Sequence, residues 1–83
     1  MKAVVIASDS RAVEGFGAMG VEALLVSSRE EARTAFLSQL ESKGDGSGTG
    51  TVLVAKSIYD YIEDLADEHR RRGILPDIML LDC

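Results

Sequence analysis

One cysteine, one histidine and no excess of basic residues set the first limits on this chain of 83 residues. Cys83 stands alone at the last position, so no disulfide can close within the chain and no cysteine cluster can hold a metal. A reducing, cytosolic setting is the expectation. Nine Lys and Arg against fourteen Asp and Glu leave a net charge of −5, whereas binding a phosphate backbone or an anionic membrane surface requires a surplus of cations. No run approaches the roughly 18 to 20 apolar residues that cross a bilayer. The apolar start, Lys2 to Ser8, turns polar before the core of a secretory signal could form. Any membrane association is expected to pass through a partner.

Apolar residues make up 46% and charged residues 28% of the chain, which is too hydrophobic for disorder and ordinary for a globular protein. Folding units usually run to roughly 100 to 150 residues, and small ones bury about 60% of their unfolded surface. The length therefore predicts a single domain over residues 1–83 with a thin core.

Lys2 to Ala7 is a β-branched apolar run that reads as a strand buried on both faces, and Asp9 or Ser10 can cap the helix that follows. In that helix Val13, Phe16 and Gly17 share a face, and Gly20 suits the left-handed residue after its end. Glu22 to Val26 gives a second strand. Ser28 and Glu31 form a capping-box pattern opening a helix to about Ser42, with Ala32, Phe36 and Leu40 as its apolar stripe and Ala35 and Leu37 beside them. Glu30, Arg33, Gln39 and Glu41 are assigned to its wet side. The glycine-rich segment 43–50 is expected to be a flexible surface loop. Thr51 to Ala55 resumes as a strand, and Ser57 and Asp60 resemble a second capping box opening one helix through Arg72. Ile58, Ile62, Leu65 and His69 form its buried face, flanked by Tyr61 and Ala66, and Gly73 and Pro76 end it. Asp77 to Asp82 is the last strand.

The order βαβαβαβ predicts an α/β fold with a four-stranded parallel sheet flanked by three helices, flavodoxin-like or Rossmann-like, with strand order 2-1-3-4. Right-handed crossovers then place the first helix on one face and the other two on the opposite face. One face is left under-covered. Strands three and four are nonetheless apolar at consecutive positions, so both of their faces need cover. A partner, or a C-terminal segment beyond this chain, is expected to supply it.

No pattern of residues assembles a convincing catalytic site. Gly44 to Gly50 lies after a helix and before a strand, whereas a phosphate loop follows a strand and opens a helix, and no Gly-Lys-Ser/Thr triplet is present. Pro76 to Asp82 looks like the strand of a response-regulator receiver ending in a phosphoaccepting aspartate. A receiver also needs an acidic pair after its first strand to bind magnesium, and Ser8-Asp9-Ser10 offers one acid. Phosphorylation on Asp82, or failing that on Asp9, remains the alternative function. His69 is assigned to a half-buried place at a helix end rather than to a metal, although Asp60, Asp64, Asp67 and Glu68 share its helix. Arg70, Arg71 and Arg72 suit a helix C-terminus, whose partial negative charge favours cations, or else contact an acidic partner. A third reading is a small-molecule crevice near Ser8, Asp9, Lys56 and Ser57, where open α/β sheets place ligands.

Two groups of residues, in order and with their spacing, resemble a known family over nearly the whole chain. The first is Ile6-Ala7-Ser8-Asp9, then Ala12-Val13-Glu14-Gly15-Phe16, then Gly20-Val21. The second is Val52-Leu53-Val54-Ala55 leading to Ile58, with Leu75-Pro76 opening the last strand. These are similar to the F subunit of the V-type/A-type rotary ATP synthases. Packing accounts for the first group: Gly15 is expected to let the helix approach the sheet and Phe16 to fill the space beneath it. Departures are Ala12 where that family tends to have Thr, the inserted glycine loop, and the stop at Cys83, where the family usually adds a tail along the central stalk. The resemblance implies a non-catalytic rotor subunit of the central stalk in a proton- or sodium-translocating complex. It further implies binding to the other ATP synthase subunits, above all the coiled-coil D subunit. The place is cytoplasmic and peripheral to the membrane, and no catalytic, cofactor-binding or metal-binding residues and no cofactor are expected.

Overall fold

Val4, Val5, Ile6 and Ala7 are each no more than 1% exposed, and since successive strand residues point to opposite faces, this strand must be covered on both. In the computed structural model, which describes residues 2–40, 49–74 and 76–82, they belong to β1 (Lys2–Ala7). β1 sits inside a four-stranded sheet. It pairs in parallel with β2 (Glu22–Leu25) on one side and β3 (Thr49–Ala55) on the other, and β4 (Asp77–Leu81) pairs in parallel with β3. The order is β2-β1-β3-β4, the α/β flavodoxin-like arrangement that the sequence predicts.

The first helix, α1 (Ser10–Ala18), is capped by Asp9, whose carboxylate accepts the Arg11 amide at 2.9 Å. Gly20 follows it at φ +83, the left-handed region a side chain resists. The second, α2 (Arg29–Leu40), opens on half of the expected capping box: the Ser28 hydroxyl accepts the Glu31 amide at 3.1 Å. The other half is displaced by one residue, because the Glu31 carboxylate accepts from both the hydroxyl of Ser27 at 2.6 Å and its amide at 2.7 Å. Ser27 offers two donors where Ser28 would offer one amide. Residues 41–48, which hold most of the predicted glycine loop, lie outside the described residues, while Thr49 and Gly50 already belong to β3.

The third expected helix is two helices. α3 (Lys56–Tyr59) is separated from α4 (Glu63–Arg72) by a tight turn in which Tyr61 donates to the Ile58 carbonyl and Ile62 to the Tyr59 carbonyl, both at 3.0 Å. The second capping box does not form. β3 runs directly into α3, so Ala55 takes the cap position with no side chain to offer, and Ser57 lies inside the first turn. The buried face survives the break through Ile58, Ile62, Ala66 and His69, with Ala66 at 0% taking the place assigned to Leu65. Gly73 ends α4 in the left-handed conformation at φ +65.

α1 contacts β1 and β2, whereas α2 contacts β1 and β3, α3 contacts β3 and β4, and α4 contacts β4. Right-handed crossovers set α1 against one face and the other helices against the opposite one. Phe36, Ile62 and Ala66 from the helices and Ile6, Val52, Val54 and Ile78 from the sheet form the well-covered side of the core. Strand pairing puts Val5, Leu53 and Met79 on the α1 face. There Val5 is dry, Leu53 is half-buried and Met79 is 53% exposed. Gly15 does not work as the packing argument expects: it is exposed, and a Cβ built on it would meet nothing within 4 Å. The approach of α1 to the sheet is set by Ala12, Val13 and Phe16, which pack on the core.

Candidate functional site

All four strands are parallel, so their C-terminal ends share one rim, and the reversal of connection between β1 and β3 opens there. Ser8 after β1 and Ser57 in α3 meet at this point, with their hydroxyl oxygens 3.3 Å apart. Asp9 and Lys56 flank them, and all four residues are exposed. Asp9 is occupied as the cap of α1. The crevice is therefore shallow and polar, held by one hydroxyl pair and one helix cap.

Asp82 follows β4, exposed, on the same rim. β3 lies between β4 and β1, which puts Asp82 two strand spacings, about 10 Å, from the acid that follows β1. A phosphoacceptor has to share a cation with that acid, and the strand beside β1 ends instead in Ala55, with Lys56 opening α3 after it. His69 is more deeply buried than expected, at 5%. Its Nε2 lies 2.8 Å from the Pro76 carbonyl. A carbonyl only accepts, so Nε2 carries the proton, and the ring ties the end of α4 to the start of β4. Among the described residues no group of His, Cys, Asp and Glu is arranged to hold a metal ion.

The three arginines at the end of α4 serve the fold unequally. Arg70 donates to the Tyr59 hydroxyl at 2.7 Å and to the Ile78 carbonyl at 3.2 Å, and its guanidinium lies 5.9 Å from the centre of the Tyr59 ring. Arg72 lies 3.7 Å from Glu68 one turn back. Arg33, assigned to water by its place on α2, reaches across to α4 and grips Asp64 with two hydrogen bonds while also donating to the Tyr61 carbonyl. This fork holds the Asp64 carboxyl below the usual carboxylate range. The two Ser27 hydrogen bonds, that of the hydroxyl first, do the same for Glu31. No local spacing signals the Arg33 bridge, because its partners lie 28 and 31 residues away.

The surface unaccounted for by folding is apolar. Met79 and Leu80 are 53% and 51% exposed on β4, and Ile74, just before that strand, is 55% exposed. A groove of about 210 Å³ between α2 and α4 is lined by Leu37, Leu40 and Leu65 on one side and by Glu68, His69 and Arg72 on the other. Leu37 faces outward from the stripe it was assigned to flank. Such surfaces fit contact with another protein better than chemistry on a small molecule. No helix among the described residues is long and apolar enough to cross a membrane.

The family model described as ATP synthase (F/14-kDa) subunit matches residues 4–81, from within β1 to the end of β4. No curated protein and no solved structure matches the chain. With the match running from β1 to the end of β4, this chain belongs to the family of F subunits of the V-type/A-type ATP synthases.

Proposed function

We propose that this chain is a non-catalytic rotor subunit of the central stalk, binding the coiled-coil D subunit and turning with it as ATP hydrolysis or synthesis is coupled to proton or sodium movement. Family membership makes other ATP synthase subunits its partners. The observation that carries the finer reading is the strand β4, whose Met79 and Leu80 stay half exposed in a fold where every other sheet position of that apolarity is drier or lies at a strand end. Exposed apolar surface of this kind is stable in water only at a cost, and docking removes it. In this reading the whole chain acts as one docking domain, it lies on the cytoplasmic side, and it reaches the membrane only through its partners. None of its residues takes part in catalysis. Co-purification with the D subunit tests the reading: the two proteins mixed at micromolar concentration should elute together on sizing, and elution as separate species sinks it.

A further inference from the structure

We propose that the open edge of β4 accepts an extended segment of a partner protein, flanked by Lys or Arg, as an additional strand of the sheet. The proposal deepens the docking function above and rests on it for the partner's identity, the extended segment then lying outside the helices of that partner's coiled coil, though not for the existence of the site.

Ile78, Met79, Leu80 and Leu81 are apolar without alternation, the composition of a strand with neighbours on both sides and cover on both faces. Yet among the described residues β4 pairs only with β3 and stands at the border of the sheet. Met79 and Leu80 point to opposite faces, as successive strand residues must, and both are half exposed. A helix laid on one face would cover one of them. A strand added along the edge brings its own side chains beside both, and gives the outward-turned amides and carbonyls of β4 their hydrogen-bond partners. Next to this edge lies a recess of about 390 Å³ of mixed character, in which Ile74, Pro76, Ile78 and Met79 meet His69, Arg70 and Asp77. Arg70 already occupies the Ile78 carbonyl, so the receptive stretch runs from Met79 toward Leu81.

The charges at the two ends of the strand select the occupant. Asp77 and Asp82 are both exposed. A second copy of this chain added antiparallel would set Asp77 against Asp82, and one added in parallel would set each aspartate against its counterpart. Like charges placed opposite each other destabilise pairing, so the edge is guarded against itself and open to a segment with cations at its ends.

Two probes test this: the purified D subunit, and a short synthetic peptide of alternating valine and threonine with a lysine at each end. Hydrogen exchange of the full chain should show protection of the β4 amides with either probe. The double variant Met79→Lys/Leu80→Lys should weaken binding about tenfold or more. Asp77→Lys, an exposed change that leaves the core intact, should weaken peptide binding with no loss of thermal stability. Peptide protection without binding of the D subunit upholds the edge and removes the reading of that protein as the partner. The edge proposal is overturned if neither probe protects β4, if Met79→Lys/Leu80→Lys and Asp77→Lys bind as the parent does, or if the chain alone forms a dimer that protects β4.

Discussion

β1 and β4 carry nearly the same kind of sequence, an unbroken apolar run in a parallel strand, Ala3 to Ala7 in one and Ile78 to Leu81 in the other, and meet opposite fates. Val4 to Ala7 are dry, while Met79 and Leu80 keep about half their surface in water. The difference lies in position: among the described residues β1 has two neighbours and helices on both faces, and β4 has one neighbour and an uncovered face. Strand composition thus records how much cover a strand is built for, and topology decides how much it receives within its own chain. The shortfall marks where something else belongs.

The comparison breaks if the two strands prove energetically alike. Phe36→Ala beneath the centre of the sheet should cost about 3 to 5 kcal/mol and Ile6→Ala in β1 about 2 to 5, a large share of the roughly 4 to 12 kcal/mol that a domain of this size has to lose. Met79→Ala or Leu80→Ala should stay within about 1 kcal/mol. Urea unfolding of the four variants measures the contrast, and equal losses in β1 and β4 would refute it. Next in size, Ser28→Ala removes the cap that starts α2, the helix over β1 and β3, and should cost about 1 kcal/mol by the same measurement. On the half-covered face, Gly15→Ala should raise stability by about 0.4 to 1 kcal/mol, since Gly15 is helical, exposed and surrounded by open space. A loss on that substitution would restore the close approach of α1 that the structure denies.

The smallest effect concerns acid. Glu31 and Asp64 have folded-state pKa values below their unfolded ones. The unfolded chain therefore binds more protons as pH falls through the carboxylate range. Their contribution is whole above the unfolded values and disappears as pH drops through the folded ones. Both sites are solvent-exposed, so the effect should be slight and, for the Arg33–Asp64 pair, reduced by salt. Thermal melts from neutral pH down to about 3 should show it, and Asp64→Asn should flatten the curve on the acid side.

Much of the fold is written locally. Unbroken apolar runs mark the strands, Ser28 and Asp9 mark helix starts, and Gly20 and Gly73 mark the two left-handed turns. What is not written locally depends on how segments abut. Ser57 has a capping residue's chemistry, but β3 continues to Ala55 and leaves no linker, so Ser57 falls inside α3 and meets Ser8 instead. The turn at residues 60–62 has no proline or glycine to announce it, and Arg33 finds Asp64 only once α2 and α4 lie side by side. The β4 edge was legible as excess apolarity, because consecutive apolar residues in a strand cannot all be buried from one side. The kind of partner required the structure, which shows both faces wet at once and an aspartate at each end.

The pairing of β1 with β3 joins Val4 to Val52, across more than half of the chain. Closing so long a loop has to precede any gain from the contact, and parallel sheets are slow to assemble for this reason. Among the described residues β4 pairs with β3 alone and takes its helix cover from α3 and α4, so its place in the sheet is fixed only after that closure has fixed β3. During refolding, Ile78 to Leu81 should be the last sheet residues protected and the first to seed clumping when concentration is raised. A binding partner present at that stage would act on yield as well as on the finished complex.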